Sequence, residues 1–242
     1  MLVLDAHVHC GLTLPVEKIL SLWQEANIDG GVLFSPVEEI YDRYDPHFTD
    51  SDFYRQSREQ VHKYLEGLKK DWIFVYWFVW NDFLFPGDCF SGVKWHRHSN
   101  EPKYQVDSRA CREFIEHISK YQYPIIIEDE FLNTLELVKA INKRTPAIIP
   151  HFGFLNGGYR RLKEAGLFEN SSVYVDTALA STAEIKDFAG DYGTDRILFG
   201  SDYPFGLPSR ERFKIDRNFA PLDQAKIFSE NLLSILKATN KR

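Results

Sequence analysis

The sequence is poor in the features that mark several protein classes. It has three cysteines in 242 residues. They are Cys10, Cys89 and Cys111, far apart and in no CxxC pair, which argues against a disulfide framework or a structural zinc ribbon and fits a reducing, cytoplasmic setting. No run of Lys or Arg exceeds two residues, and 29 basic against 35 acidic side chains leave a formal charge of −6. The basic footprint that neutralises phosphates is missing, so no nucleic-acid partner is expected. The longest apolar run, Trp72 to Trp80, is too short to span a bilayer as a helix. Met1 leads straight into Leu2-Val3-Leu4 and Asp5 with no basic stretch, so neither a signal peptide nor a membrane partner is expected. Internal repeats, low-complexity stretches and Pro/Gly/Ser linkers are also missing, and residues 1–242 read as one domain.

What is present is 44% hydrophobic and 15% aromatic residues, in a length that suits one α/β barrel. A small molecule is the expected partner, with a homodimer left open. Short apolar runs rich in Val, Ile and Phe recur along the chain. They predict strands at Leu2 to Ala6, Gly31 to Phe34, Trp72 to Val79, Gly92 to Trp95, Pro124 to Ile127, Ala147 to Pro150, Ser172 to Val175 and Arg196 to Gly200. Helical periodicity predicts helices at Val16 to Ala26, Phe53 to Lys69 with Asp52 as N-cap, Ser108 to Lys120, Asn133 to Asn142, Gly158 to Ala165, Ala183 to Tyr192 and Leu222 to Lys237. Strands that are apolar throughout are buried on both faces, which marks parallel strands under helices. The fold class is therefore α/β, a single (βα)8 TIM barrel. It is somewhat distorted, because Asn81 to Ser91 is too short for a full helix between the third and fourth strands.

Parallel strands open their C-terminal ends on one face, where a barrel's active site forms. The polar residues there are Asp5-Ala6-His7-Val8-His9, then Lys94-Trp95-His96-Arg97-His98, then Glu128-Asp129-Glu130, and finally His151, Asp176 and Asp202. His7 and His9 are two apart on a strand, so both face one side and suit adjacent positions on one cation. An HxH pair alone is unspecific. A hydrolytic metal centre, however, needs His and carboxylate ligands converging around an open water position, and the joint placement satisfies that need. His96, Arg97 and His98, next to Lys94, form a cationic cluster suited to a carboxylate substrate, although a solvated loop would read the same way. The loop from Tyr41 to Phe53, with Arg43, Tyr44, His47 and Phe48, reads as a lid or pocket wall. Trp72, Trp77, Trp80 and Cys10 read as packing residues.

DAHVHCG at the start, GVKWH, PAIIPHFG, SSVYVDTAL and RILFGSDYPFG, in that order along the chain, resemble the amidohydrolase superfamily. The resemblance is to its amidohydrolase-related branch, which includes aminocarboxymuconate semialdehyde decarboxylase and other metal-dependent hydrolases and decarboxylases. It implies that His7 and His9 are metal ligands, and that Asp202 ligates the metal and handles the proton of its water. It further implies that His151 polarises substrate or assists water activation, and that Lys94 matches a fourth-strand lysine that is carboxylated and bridges two metals in some distant relatives and is more often a plain lysine in this branch. The family's fifth strand usually ends in a metal-binding histidine. Here Glu128 stands in that place, and a carboxylate also ligates Zn²⁺ or Mn²⁺. The expected centre thus holds one divalent metal, Zn²⁺ foremost and Mn²⁺ as the alternative, on His7, His9, Glu128 and Asp202. Asp202 and His151 are then the catalytic residues, and Lys94, His96 and Arg97 the substrate contacts. The implied function is a metal-dependent hydrolase acting on an amide, ester or lactone of a small polar or carboxylated molecule. The alternatives are a non-oxidative decarboxylase of a cyclic or unsaturated acid, and an inactive barrel serving as a binding protein.

Overall fold

In the computed structural model of the protein, which describes residues 1–42, 44, 52–98, 101 and 104–239, parallel strands alternate with helices. β1 (Leu4–His9), β2 (Gly30–Phe34), β3 (Ile73–Phe78), β4 (Gly92–His96), β5 (Ile125–Glu128), β6 (Ala147–Ile149), β7 (Val173–Asp176) and β8 (Ile197–Leu198) pair in chain order. The sheet then closes on itself. The Ala6 N–H donates to the Phe199 carbonyl at 2.7 Å, the His9 N–H donates to the Tyr203 carbonyl at 3.0 Å, and Val8 bridges Tyr203 in parallel. The expected (βα)8 barrel is the observed fold.

The helices are α1 (Val16–Glu25), α2 (Asp52–Glu66), α3 (Arg109–Tyr121), α4 (Phe131–Ala140), α5 (Tyr159–Glu164), α6 (Thr182–Tyr192), α7 (Pro208–Asn218), α8 (Pro221–Ala225) and α9 (Asn231–Thr239). Local chemistry accounts for their limits. The Ser108 hydroxyl caps α3 by accepting the Cys111 N–H at 3.3 Å, and Cys111, Phe114, Ile115 and Ile118 form its buried stripe. Ser181 and Glu184 form a capping box on α6. Asp52, expected as a cap, is the first residue of α2.

Helix α7 was not anticipated. Its buried positions are Pro208, Glu211 and Ile215, so no apolar stripe marks it in the sequence. It docks by polar contacts instead: Glu211 accepts the Leu179 N–H at 3.2 Å, and Arg212 donates to the Ala26 carbonyl at 2.7 Å. The connection between β3 and β4 has turns and no helix, as its length required.

The barrel interior is filled by Leu4, Ala6, Val32, Phe34, Tyr76, Ile126, Ile148 and Leu198, joined by Leu232, Ile235 and Leu236 of α9. One irregularity in β1 decides what its end presents. Asp5 pairs with Gly31 but Val8 pairs with Leu33, so β1 carries one extra residue, a bulge that breaks the alternation of side chains. After it, His7 and His9 both lie against the Phe34 ring, with centroids 5.0 and 4.8 Å apart. The following turn is fixed from below. Glu39 accepts the N–H groups of Leu12 and Thr13 at 2.9 and 2.8 Å, and a Cβ on Gly11 would lie 2.5 Å from that carboxylate.

Candidate metal centre

His7, His9 and Asp202 come together at the C-terminal mouth, all three buried. Two outward bonds orient the imidazoles. His7 Nδ1 lies 2.7 Å from Asp176 Oδ2, and His9 Nδ1 lies 3.3 Å from the Ser35 carbonyl. Both acceptors require a proton on Nδ1, which leaves the Nε2 lone pairs facing inward. Asp202 is held from the other side, where its N–H donates to the His7 carbonyl at 2.8 Å and its backbone takes a positive φ of 54°. His151, with φ 53°, is followed by Phe152 and Gly153, also left-handed. The Asp176 Oδ1 accepts the His151 backbone N–H at 3.0 Å, so this one carboxylate fixes the His7 imidazole and the His151 main chain. Non-glycine residues in this region carry strain that persists where the surroundings enforce it, commonly at functional sites.

The spacing of the inward atoms is informative. His7 Nε2 and His9 Nε2 each lie 3.2 Å from Asp202 Oδ1, and His151 Nε2 lies 3.1 Å from Oδ2. Yet His7 Nε2, both nitrogens of His151 and Asp202 Oδ1 are buried without a hydrogen-bond partner. Atoms that close and unbonded are aimed past one another at a common point. Two ligands at about 2.0–2.1 Å from a tetrahedral ion lie about 3.3 Å apart, so His7, His9 and Asp202 fit a divalent cation.

The charges agree with that reading. Burial opposes ionisation of Asp202, but His7 and His151 outweigh it and hold its carboxyl well below the usual range. Burial and Lys94 push His7 down, and Asp176 with Asp202 reverse this and raise it to about 9. Burial lowers the pKa of His9. The metal-free pocket is thus an anionic carboxylate ringed by imidazoles, and a cation displaces protons as it enters.

Glu128 is placed differently from the other expected ligands. One of its oxygens lies within 4.8 Å of ligand atoms on His7 and His151, but its direct contacts lie elsewhere. Oε2 accepts from Lys94 Nζ at 2.7 Å, and Oε1 faces His96 Nε2 at 3.0 Å and His98 Nε2 at 3.4 Å. The reason is register, since Glu128 pairs with His96 across the β4–β5 ladder. Burial resists its ionisation, and His96 and Lys94 still hold its pKa well below the carboxylate range. Lys94 is fully buried, with its Nζ 4.9 Å from the centre of the Phe34 ring.

Arg97 departs from the expected substrate contact. Adjacent strand residues face opposite sides, so with His96 turned inward Arg97 turns outward. There it donates to the Val79 carbonyl at 3.2 Å and to Asn81 Oδ1 at 3.0 Å, among the rings of Trp80, Trp95 and Tyr104. Two contributors escaped the sequence reading. Asp176 was noted as a strand end without a role. Glu101 was not singled out, although it follows an H-x-H that repeats the His7-Val8-His9 spacing. The proposed lid residues Arg43, His47 and Phe48 lie outside the described residues.

A cavity of about 180 Å³ opens above these groups. Its floor is His9, His96, His98, Glu128 and Asp202, and its walls are Val37, Phe154, Leu155, Leu179 and Phe205. A second lobe over Thr13, Leu14 and Pro36 shares His9, Val37 and Phe205. No helix among the described residues is long and apolar enough to cross a membrane.

The sequence matches no protein-family model and no curated protein. Solved structures do match over nearly the whole length. A 2,6-dihydroxybenzoate decarboxylase from Rhizobium aligns with TM-score 0.74 at 16% identity, covering 98% of each chain. The 5-carboxyvanillate decarboxylase from Sphingomonas paucimobilis gives 0.69 at 9%, covering 98% of this chain and 99% of its own. Amidohydrolase 2 from Bifidobacterium longum subsp. infantis gives 0.68 at 14%, covering 97% of this chain and 98% of its own. The chain shares their barrel. At these identities the likeness concerns the fold, and the chemistry is argued from the site.

Proposed function

We propose that the chain is a metal-dependent enzyme of the amidohydrolase superfamily, hydrolysing an amide, ester or lactone of a small polar or carboxylated molecule. The observation that carries this reading is the buried trio His7, His9 and Asp202, in which both imidazole Nε2 atoms lie 3.2 Å from Asp202 Oδ1 while His7 Nε2 and that oxygen have no hydrogen-bond partner. A divalent cation bound there, Zn²⁺ or Mn²⁺, supplies Lewis acidity and a water whose pKa is brought toward neutrality.

The chain's own residues supply the rest. Asp202 has one oxygen toward the ligand histidines and the other 3.1 Å from His151 Nε2, so it accepts a proton on one side and relays it on the other. His151 carries that proton to the leaving group or stabilises a developing oxyanion. The apolar walls offer a surface for the substrate's carbon skeleton.

A second reading, decarboxylation of a cyclic or unsaturated acid, is favoured by the walls of Phe154, Leu155, Leu179 and Phe205, which suit a planar ring. Two of the compared structures carry decarboxylase names. In that case His151 delivers its proton to carbon.

Metal analysis after dialysis against Zn²⁺ or Mn²⁺ tests the reading. At least one equivalent is expected to stay with the protein. Retention below about a tenth of an equivalent with either ion would overturn it in favour of an inactive binding barrel. On a panel of lactones, esters, amides and aromatic acids, free acid marks the hydrolase and CO₂ the decarboxylase.

A further inference from the structure

The mouth of the barrel holds a second set of donors that the proposed chemistry leaves unused. Ligand atoms of His96, His98 and Glu101 all lie within 4.8 Å of one another. Their composition repeats the first set: two imidazoles from an H-x-H at a strand end and one carboxylate from a loop. His96 Nδ1 is 3.4 Å from Glu101 Oε2, yet that nitrogen and Glu101 Oε1 are buried with no hydrogen-bond partner. Glu101 is positioned by the His98 N–H, which donates to Oε2 at 2.9 Å, and by Tyr41, which also hydrogen-bonds its carboxylate. His96 and Glu101 are each 4% exposed, so their open lone pairs are not supplied by bulk water.

The local charge decides which ligand belongs there. An anion such as a substrate carboxylate would find Glu101 and Glu128 already beside the imidazoles, within 3.4 Å. A cation meets two imidazole lone pairs, the Glu101 carboxylate and Glu128, whose Oε2 is paired with Lys94 while Oε1 faces the imidazoles, a donor set that suits Zn²⁺ or Mn²⁺.

We propose that His96, His98 and Glu101 form a second divalent-cation site, and that Glu128, standing between the two sets, bridges them in a dinuclear centre. Glu128 fits the bridging role because Oε1 faces His96 and His98 while the carboxylate also lies within 4.8 Å of His7 and His151. The second site stands on its own residues, and only the bridge rests on the metal centre proposed above.

Equilibrium dialysis against Zn²⁺ with metal analysis tests this on the full chain. The wild type is expected to hold two equivalents. H98A and E101Q are expected to hold one, and H7A/H9A is expected to hold one that is lost when H98A is added. In Mn²⁺-loaded wild type, electron paramagnetic resonance should show coupled ions, and E101Q should show an isolated one. His98 is the most exposed of the three, with a side chain 24% exposed, so H98A is expected to keep the wild-type melting profile and is the decisive variant if a substitution at His96 fails to fold. A single equivalent in the wild type, or a second one indifferent to H98A and E101Q, overturns the site. An H98A-sensitive equivalent with no loss of metal in H7A/H9A removes instead only the first centre's claim to its ion.

Discussion

Asp176 accepts from His7 Nδ1 with one oxygen at 2.7 Å and from the His151 backbone with the other at 3.0 Å. One carboxylate at the end of β7 thereby fixes which nitrogen of His7 faces Asp202 and where the His151 ring begins. Asp176→Ala is expected to weaken Zn²⁺ binding by roughly 10–100-fold, the usual effect of losing a partner behind a ligand. Competition with a chromophoric chelator measures it, and an unchanged affinity would refute the orienting role.

Asp202 both faces the ligand histidines and contacts His151. Asp202→Asn keeps the shape but abolishes the proton acceptor. Turnover of metal-supplemented protein is expected to fall by about 10²–10⁴-fold, far more than KM changes. Near-normal turnover contradicts the relay.

The metal-free protein should show a particular pH dependence. The pKa of His7 is raised in the fold, so protonated His7 stabilises it. That contribution is fully present below the unfolded value of 6.5 and is lost as pH rises through about 9. The melting temperature of metal-free protein is expected to fall across this window, and His7→Asn should flatten the slope. Saturating Zn²⁺ should abolish the decline, because the ion binds the neutral ring. A flat metal-free profile in the wild type counts against the His7 assignment.

Glu128 neutralises a lysine that is fully buried. Removing one member of such a pair leaves an uncompensated charge and costs about 3–5 kcal/mol, so Glu128→Ala is expected to be strongly destabilised in urea. Lys94→Met combined with Glu128→Gln should recover most of the loss. A cost below about 1 kcal/mol for Glu128→Ala, typical of exposed pairs, would show the pair to be uncoupled.

Phe154 is 72% exposed at the cavity wall. Phe154→Ala is expected to leave the melting temperature within a few degrees while raising KM for ring-bearing substrates more than for short aliphatic ones. Equal effects on both would remove Phe154 from the pocket.

The barrel was legible because parallel strands buried on both faces must be apolar throughout, and Ile125-Ile126-Ile127 and Ala147-Ile148-Ile149 are runs of that kind recurring between helical segments. The histidine and aspartate ends of β1 and β8 were legible for the same reason, since polar residues closing an apolar strand fall at one rim. Glu128 shows where that logic stops. Strand position put it at the rim, but its partners depend on which side chains stand opposite across the ladder, and these were Lys94 and His96. Arg97 was misread because clustering in sequence was taken for clustering in space, whereas strand alternation separates it from His96. Helix α7 left no apolar signature because a carboxylate and an arginine dock it.

The closure between β8 and β1 acquires a mechanical meaning from the position of the ligands. β8 has two residues, and it meets β1 through a few backbone hydrogen bonds and one bridge. His7 and His9 stand on one side of this seam and Asp202 on the other. An ion bound to all three would therefore be a clasp, fastening the first strand to the last across almost the entire chain. At a thousandfold excess over Kd it would add about 4 kcal/mol to the folded state. Stripping it should loosen β1 and β8 in hydrogen exchange before the strands opposite them.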